Sequence, residues 1–211
     1  MDKTIESIYK SILDGDQHLA AEKVTEALYT GMSPDLILKD GLVAAMGEVG
    51  RLFENGEYFV PEMLIAARAM NTGLKLIEPL LAREGHEAVA RVCIGTVKGD
   101  LHDIGKNLVA MMLKGAGFEV DDLGVDCDVN KFTAAVDRGA KVICLSALLT
   151  TTMSYMRTVT QHFAGNPNVK IIIGGAPVTQ AFADEIGAHG FGADANQAIR
   201  AAELCLGLQR A

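Results

Sequence analysis

No run of lysine or arginine occurs in the 211 residues, and 19 basic against 27 acidic side chains leave a formal charge of −8. An acidic chain repels phosphate backbones unless it carries a local basic patch, so no nucleic-acid partner is expected. Nor does any stretch approach the roughly 18 uninterrupted apolar residues of a membrane span. The opening Met1-Asp2-Lys3-Thr4-Ile5-Glu6 has no apolar signal core, so the expectation is a cytoplasmic protein without a membrane partner. Cysteine is scarce. Cys93, Cys127, Cys144 and Cys205 lie far apart with no Cys-x-x-Cys pair, which removes the basis for a zinc ribbon or a dithiol redox centre. Cys93 and Cys144 sit in apolar runs and read as small core residues. Internal repeats and low-complexity tracts are also missing. What is present, 49 % hydrophobic and 22 % charged residues with mean hydropathy +0.21, suits a compact protein with a sizeable core and excludes disorder, collagen and a disulfide-stapled miniprotein.

The pattern changes near residue 85, predicting a helical domain over 1–85 and an α/β domain over 86–211. In the first part apolar residues recur at helical spacing, and Gly or Pro punctuates four helices. Ile5, Ile8, Tyr9, Ile12 and Leu13 form the first stripe. A second helix runs from about Asp16 to Tyr29. A third, with Ser33 as cap and Pro34 in its first turn, carries Leu38, Leu42, Met46, Val49 and Phe53. A fourth starts near Pro61 and presents Met63, Ala67, Met70, Leu74, Ile77 and Leu81. These make a small antiparallel bundle. After Glu84-Gly85-His86-Glu87, β-rich runs alternate with helix-length segments. The runs are Val89–Val97, Phe118–Leu123, Lys141–Leu145, Val169–Ile173 and a weaker Gly190–Ala193. The predicted fold class is therefore α/β, a doubly wound five-stranded parallel sheet behind a helical bundle. Ligands of such sheets sit outside the carboxyl ends of the strands, which directs attention to the loops after the first, third and fourth.

The first of these loops reads Lys98-Gly99-Asp100-Leu101-His102-Asp103-Ile104-Gly105-Lys106-Asn107. A carboxylate two residues before a histidine can take one ring nitrogen and leave the other for a metal; a solvated histidine beside a helix-capping aspartate fits the same tripeptide. The second, Ser146-Ala147-Leu148-Leu149-Thr150-Thr151-Thr152, holds four hydroxyls in seven residues, suited to a buried ligand or to capping, and at least one of Thr151 and Thr152 is expected to cap the next helix. The third, Gly174-Gly175-Ala176-Pro177, lets a ligand or a backbone approach where a Cβ would clash.

Taken together, Asp-x-His-x-x-Gly, Ser-x-Leu and Gly-Gly at these three strand ends resemble the cobalamin-binding signature of methionine synthase and of the small corrinoid proteins of methanogens and acetogens. The stretch from Thr96 to Asn107 is nearly that family's sequence, and Leu52 to Pro61 is similar to its helical cap segment. The resemblance spans essentially the whole chain. It implies a flavodoxin-like domain that binds cobalamin or a related corrinoid with the nucleotide base displaced from cobalt, His102 as lower axial ligand, Asp100 hydrogen-bonded to it, and Thr152 ending the relay where methionine synthase has serine. It further implies that Gly99, Leu101, Asp103, Gly105, Ser146, Leu148, Thr150, Gly174, Gly175 and Ala195 surround the cofactor, and that Phe53 and Val60 shield its upper face. As apolar residues at helix ends, those last two equally suit ordinary core.

The function so implied is that of a methyl carrier cycling between cob(I)alamin and methylcobalamin. A donor-specific methyltransferase would load it, an acceptor methyltransferase using coenzyme M or tetrahydrofolate would unload it, and a reductive activation protein would restore it. With no room for a substrate barrel, the expected protein is a non-autonomous subunit, with hinges near Gly85 and Gly56. Competing readings are a cobalamin-dependent sensor, which normally carries a basic helix-turn-helix, and a small subunit of an adenosylcobalamin mutase. A receiver domain would need aspartate where Ser146 stands, and a zinc or iron site would rest on Asp100, His102 and Asp103. His18, His86, His162 and His189 have no partner spacing.

Overall fold

The computed structural model describes residues 2–83 and 88–208. They form two compact units, Met1–Ala88 with Lys114–Gly117, and Val89–Leu113 with Phe118–Ala211.

The first unit is helical. Helix α1 spans Lys3–Leu13, and Asp2 caps it by accepting from the Thr4 amide at 2.8 Å. Helix α2 spans Gln17–Tyr29 and is capped by Asp16, which accepts from Leu19 N at 2.9 Å; each cap satisfies a donor with no partner inside its helix. The third helical course has three stretches: α3 Pro34–Leu36, a π-helical segment Ile37–Val43 and α4 Ala44–Glu54. Ser33 holds the N-cap position as expected but makes no side-chain capping bond, leaving Pro34 to start the helix. The π-helical segment was not foreseen. It brings Gly41 so close to Ile8 that a Cβ there would lie 3.1 Å from Ile8 Cγ2. Helix α5, Val60–Arg83, completes the unit and carries Pro79 inside its final turns. Ile5, Ile8, Ile12, Leu42, Met46, Val49, Met63, Met70 and Ile77 are buried, as their helical spacing predicted. Phe53 is half-buried and Val60 exposed. The turn containing Gly56 (φ +73°) is described, whereas Gly85 and His86 lie outside the described residues.

The second unit is the predicted doubly wound sheet. Its strands are β1 Arg91–Thr96, β2 Glu119–Asp122, β3 Val142–Ser146, β4 Lys170–Gly174 and β5 Gly190–Gly192. All pair in parallel in the order β2-β1-β3-β4-β5. The helices are α6 Ile104–Gly115, α7 Val129–Asp137, α8 Thr150–Phe163, α9 Gln180–Ile186 and α10 Ala195–Cys205. Cys93, Ile143, Leu145, Ile171 and Ile173 pack with Phe132, Met156 and Val159 in one buried cluster. Strand order reverses between β1 and β3, the switch point where ligands of such sheets bind. Register aligns Thr96 with Ser146, Ser146 with Gly174 and Gly174 with Gly192, so the carboxyl ends finish level and their loops gather on one edge. Among the described residues no helix is long and apolar enough to cross a membrane.

Candidate functional site

Asp100 follows the end of β1 and is fully buried, yet it is not orphaned. Its Oδ2 accepts from Leu148 N at 2.8 Å, Leu149 N at 3.3 Å and Thr152 Oγ1 at 2.7 Å, all on the loop and first helical turn after β3. Its Oδ1 accepts from the His102 amide at 3.1 Å and lies 2.7 Å from His102 Nδ1. Burial by itself pushes the Asp100 carboxyl up, but the bonds from Thr152, Leu148 and His102 outweigh it and hold the group well below the usual carboxylate range. Asp100 is therefore an anion and can only accept. Nδ1 of His102 thus donates to it, which in a neutral ring leaves the lone pair on Nε2. The imidazole side chain is 50 % exposed while Asp100 is 0 % exposed, so a fixed ring presents its Nε2 outside the domain's core.

Thr152 does not cap α8. That helix begins at Thr150 with Leu149 at the N-cap, and Thr152 lies in its first turn. Its single hydroxyl proton has Leu149 O at 2.9 Å and Asp100 Oδ2 at 2.7 Å within reach, and the nearer, charged acceptor takes it. The capping expectation failed because Leu149 O already accepts from Thr152 N and Met153 N, so the helix starts before either threonine can cap it.

The other residues singled out by the sequence fall around this dyad to different degrees. Leu101, Ile104, Leu148 and Leu149 are all exposed large apolar side chains, and they belong to the two loops that build the dyad. Gly99 adopts φ +85°, and Gly105, also exposed, has open space where a Cβ would point. Asp103 accepts from Asn107 Nδ2 at 3.0 Å within the first turn of α6 and does not join Asp100. Ser146 ends β3 and Thr150 is exposed at the start of α8. Of the two uses raised for the paired glycines, the structure shows close backbone. A Cβ on Gly174 would meet Gly192 O at 2.7 Å, and one on Gly175 (φ +128°) would meet Ala147 O at 1.9 Å. Ala195 is buried as the first residue of α10. Phe53 and Val60 belong to the helical unit. Among the described histidines, His189 accepts from Ile171 N at 3.1 Å through Nδ1 and is structural.

Sequence reading passed over three contacts here. Thr96 Oγ1 donates to His102 O at 2.7 Å, Asp126 Oδ1 accepts from Gly99 N at 2.8 Å, and the buried Lys106 ammonium meets Asp122 Oδ1 at 2.6 Å and Oδ2 at 2.7 Å. Thr96 and Lys106 lie inside the family-like stretch, though nothing there marks their partners, and Asp126 lies outside it.

Among the described residues no group of three or more His, Cys, Asp or Glu side chains is arranged to hold a metal ion. A metal that arrives with its remaining ligands in place, as a macrocycle-held metal does, would need only His102 Nε2 from the protein. The exposed apolar side chains of Leu101, Ile104, Leu148 and Leu149, on the two loops that meet at Asp100, suit such a ring. The chemistry of the donor set thus fits a corrinoid.

Comparison with known proteins agrees. Residues 90–200 match the family described as B12 binding domain, and residues 4–78 match a second family of the same description. The chain is 42 % identical over 203 residues to the trimethylamine corrinoid protein of Methanosarcina barkeri, covering 93 % of this chain and 94 % of that one. It is 40 % identical over 210 residues to dimethylamine corrinoid protein 3 of Methanosarcina acetivorans, covering 96 % and 99 %. In structure it resembles a chain of the methanol:cobalamin methyltransferase complex MtaBC from Methanosarcina barkeri, with TM-score 0.85 and 30 % identity over 99 % of this chain and 81 % of that one. The chain belongs to the corrinoid proteins of methylotrophic methyltransferase systems, and its cofactor is a corrinoid.

Proposed function

We propose that the chain is a methyl carrier in which His102 Nε2 is the lower axial ligand of a corrinoid whose own base is displaced from cobalt. The observation that carries this reading is the half-exposed imidazole with Nδ1 committed to the buried Asp100. When bound, the corrinoid supplies a cobalt centre that takes a methyl group from one partner and surrenders it to another. The protein supplies the rest. Asp100 keeps the Nδ1 proton in place, which raises the donor strength of Nε2 and fixes the ring plane. Thr152 and the Leu148 and Leu149 amides keep Asp100 ionised, so the carboxylate would also stabilise a positive charge on the ring when Nε2 holds a proton in place of a metal. Ser146, Leu148, Thr150, Gly105, Gly174, Gly175 and Ala195 would accompany the displaced nucleotide tail along the carboxyl edge.

The partners follow from this role: a donor-specific methyltransferase, an acceptor methyltransferase with coenzyme M or tetrahydrofolate as acceptor, and a reductive activation protein. A relative found within a methanol:cobalamin methyltransferase complex supports the first of these. The relatives named for trimethylamine and dimethylamine make a methylamine the donor class to test first.

The test is an absorption spectrum after loading with hydroxocobalamin and gel filtration, with His102→Ala run in parallel. Wild type should retain corrinoid with a spectrum of nitrogen coordination that the variant loses. A wild-type spectrum indistinguishable from that of His102→Ala would remove His102 from cobalt.

A further inference from the structure

The loop that presents His102 is fastened at its backbone from two sides by residues that neither touch the imidazole nor belong to the Asp-x-His-x-x-Gly signature. Thr96, the last residue of β1, is fully buried, and its hydroxyl donates to the carbonyl of His102 itself at 2.7 Å. Its own backbone is held in the sheet, with Thr96 N donating to Gly124 O at 3.0 Å and Cys127 N donating to Thr96 O at 2.9 Å. The anchor is therefore rigid. On the other side Asp126 makes a double contact. Its carboxylate accepts from Gly99 N at 2.8 Å, and its amide donates to Asp100 O at 3.0 Å. Asp126 does this in the left-handed region, at φ +49°, and is the sole non-glycine with positive φ among the described residues. Aspartate tolerates that region better than most residues, though not freely, and conformations of this kind persist where the surroundings require them.

We infer that Thr96 and Asp126 are positioning residues for the axial histidine, acting on its loop backbone so that the ring reaches cobalt at the correct height and tilt. This rests on the reading of His102 as axial ligand. Without the Thr96 bond the His102 carbonyl can rotate, and without the Asp126 carboxylate the Gly99 peptide loses its outer tether, the backbone bond from Asp126 N to Asp100 O remaining. The Asp100 side chain, held by the β3 loop, then fixes the ring nitrogen but no longer the distance of the ring from the sheet edge. Partners of this kind around a metal-ligating histidine commonly alter metal affinity by about 10- to 100-fold, and contacts made through the backbone belong at the lower end.

The experiment uses the full chain loaded with hydroxocobalamin and reduced to the cob(II)alamin state. An axial nitrogen then splits the electron-resonance lines of cobalt, and ¹⁵N-histidine labelling changes that splitting. Wild type and His102→Ala calibrate the signal. If the two are alike, His102 is not the ligand and the parent reading fails, whatever the remaining variants do. Given a calibrated signal, Thr96→Val and Asp126→Gly should weaken corrinoid retention by about tenfold and diminish the histidine-dependent splitting. Thr96→Ser and Asp126→Asn, which keep the hydroxyl and a left-handed-tolerant acceptor, should restore both. Asp126→Gly is chosen because it relieves the backbone and removes only the acceptor. Unchanged retention and splitting in Thr96→Val and Asp126→Gly would overturn the inference. So would losses shared equally by the conservative variants and tracking the melting temperature of the apoprotein, since that pattern marks a general stability effect.

Discussion

Replacing Thr152 by valine removes one hydroxyl from beneath Asp100 and keeps the side-chain volume, so the loss is electrostatic rather than steric. A hydrogen bond to a charged acceptor contributes about 1.5–3 kcal/mol. Asp100 Oδ2 retains the Leu148 and Leu149 amides at 2.8 and 3.3 Å, which places the expected destabilisation of the apoprotein at the lower end, about 1.5–2 kcal/mol at pH 7. Expressed as proton affinity, this raises the carboxyl of folded Asp100 by roughly one unit. The direction with pH follows. Asp100 is depressed in the folded state, so its stabilisation is complete above the unfolded value of about 3.9 and is lost as pH falls through the folded value. Wild type and variant share the unfolded value. Their difference should accordingly stay constant from pH 7 to about pH 4 and close only well below that, where the variant's carboxyl protonates first. Urea unfolding followed by circular dichroism at several pH values measures it. A difference under about 0.5 kcal/mol at pH 7, or one that already varies between pH 7 and 5, would refute the reasoning, the latter because titration there belongs to an imidazole.

The ion pair at the start of α6 is unequal, with the Lys106 side chain 2 % exposed and that of Asp122 40 % exposed. Asp122→Ala leaves the buried ammonium with the neutral Asn107 Oδ1 at 2.6 Å in place of a carboxylate and should cost about 2–3 kcal/mol, whereas Lys106→Met leaves Asp122 to water and should fall within about 1 kcal/mol of wild type; equal losses in urea titrations would show that the lysine is not committed to the interior. Burial pushes the Cys144 thiol up to about 12 and raises Cys93, Cys127 and Cys205 as well. Native protein at pH 8 should therefore react slowly with an aromatic disulfide, Cys205 first because it alone is not fully buried. Cys205→Ser should remove the earliest phase, and a rapid reaction of all four thiols would contradict the buried strands.

The α/β half was legible because parallel strands covered on both faces are written as unbroken apolar runs, such as Val142 to Leu145 and Ile171 to Ile173. Strand β2 is different, since Glu119-Val120-Asp121-Asp122 is an edge, and only its place in the alternation betrays it. The π-helical segment could not be read from a 3.6-residue pattern, because a single wider turn inside a helix leaves no separate period in the apolar spacing. In the site, Asp100 and His102 were legible as a local pair, and Thr152 by resemblance. Thr96 and Asp126 were not. Their bonds depend on how β1, β2 and the intervening turns align, and nothing in the sequence around Asp126 announces a partner 27 residues upstream.

Asp100 accepts hydrogen bonds from residues 48, 49 and 52 positions further along the chain, and that separation bears on how the protein matures. A nascent chain ending before Ser146 contains the entire Asp-x-His-x-x-Gly stretch but not the amides and hydroxyl that hold the aspartate. The imidazole acquires its fixed orientation only when β3 has paired with β1 and α8 has begun to wind. On the proposed role of His102 as cobalt ligand, a corrinoid would bind the finished domain in preference to a partly folded one, and its binding energy would add to the cooperativity of folding. Cofactor loading would then pass only chains whose two distant segments have met.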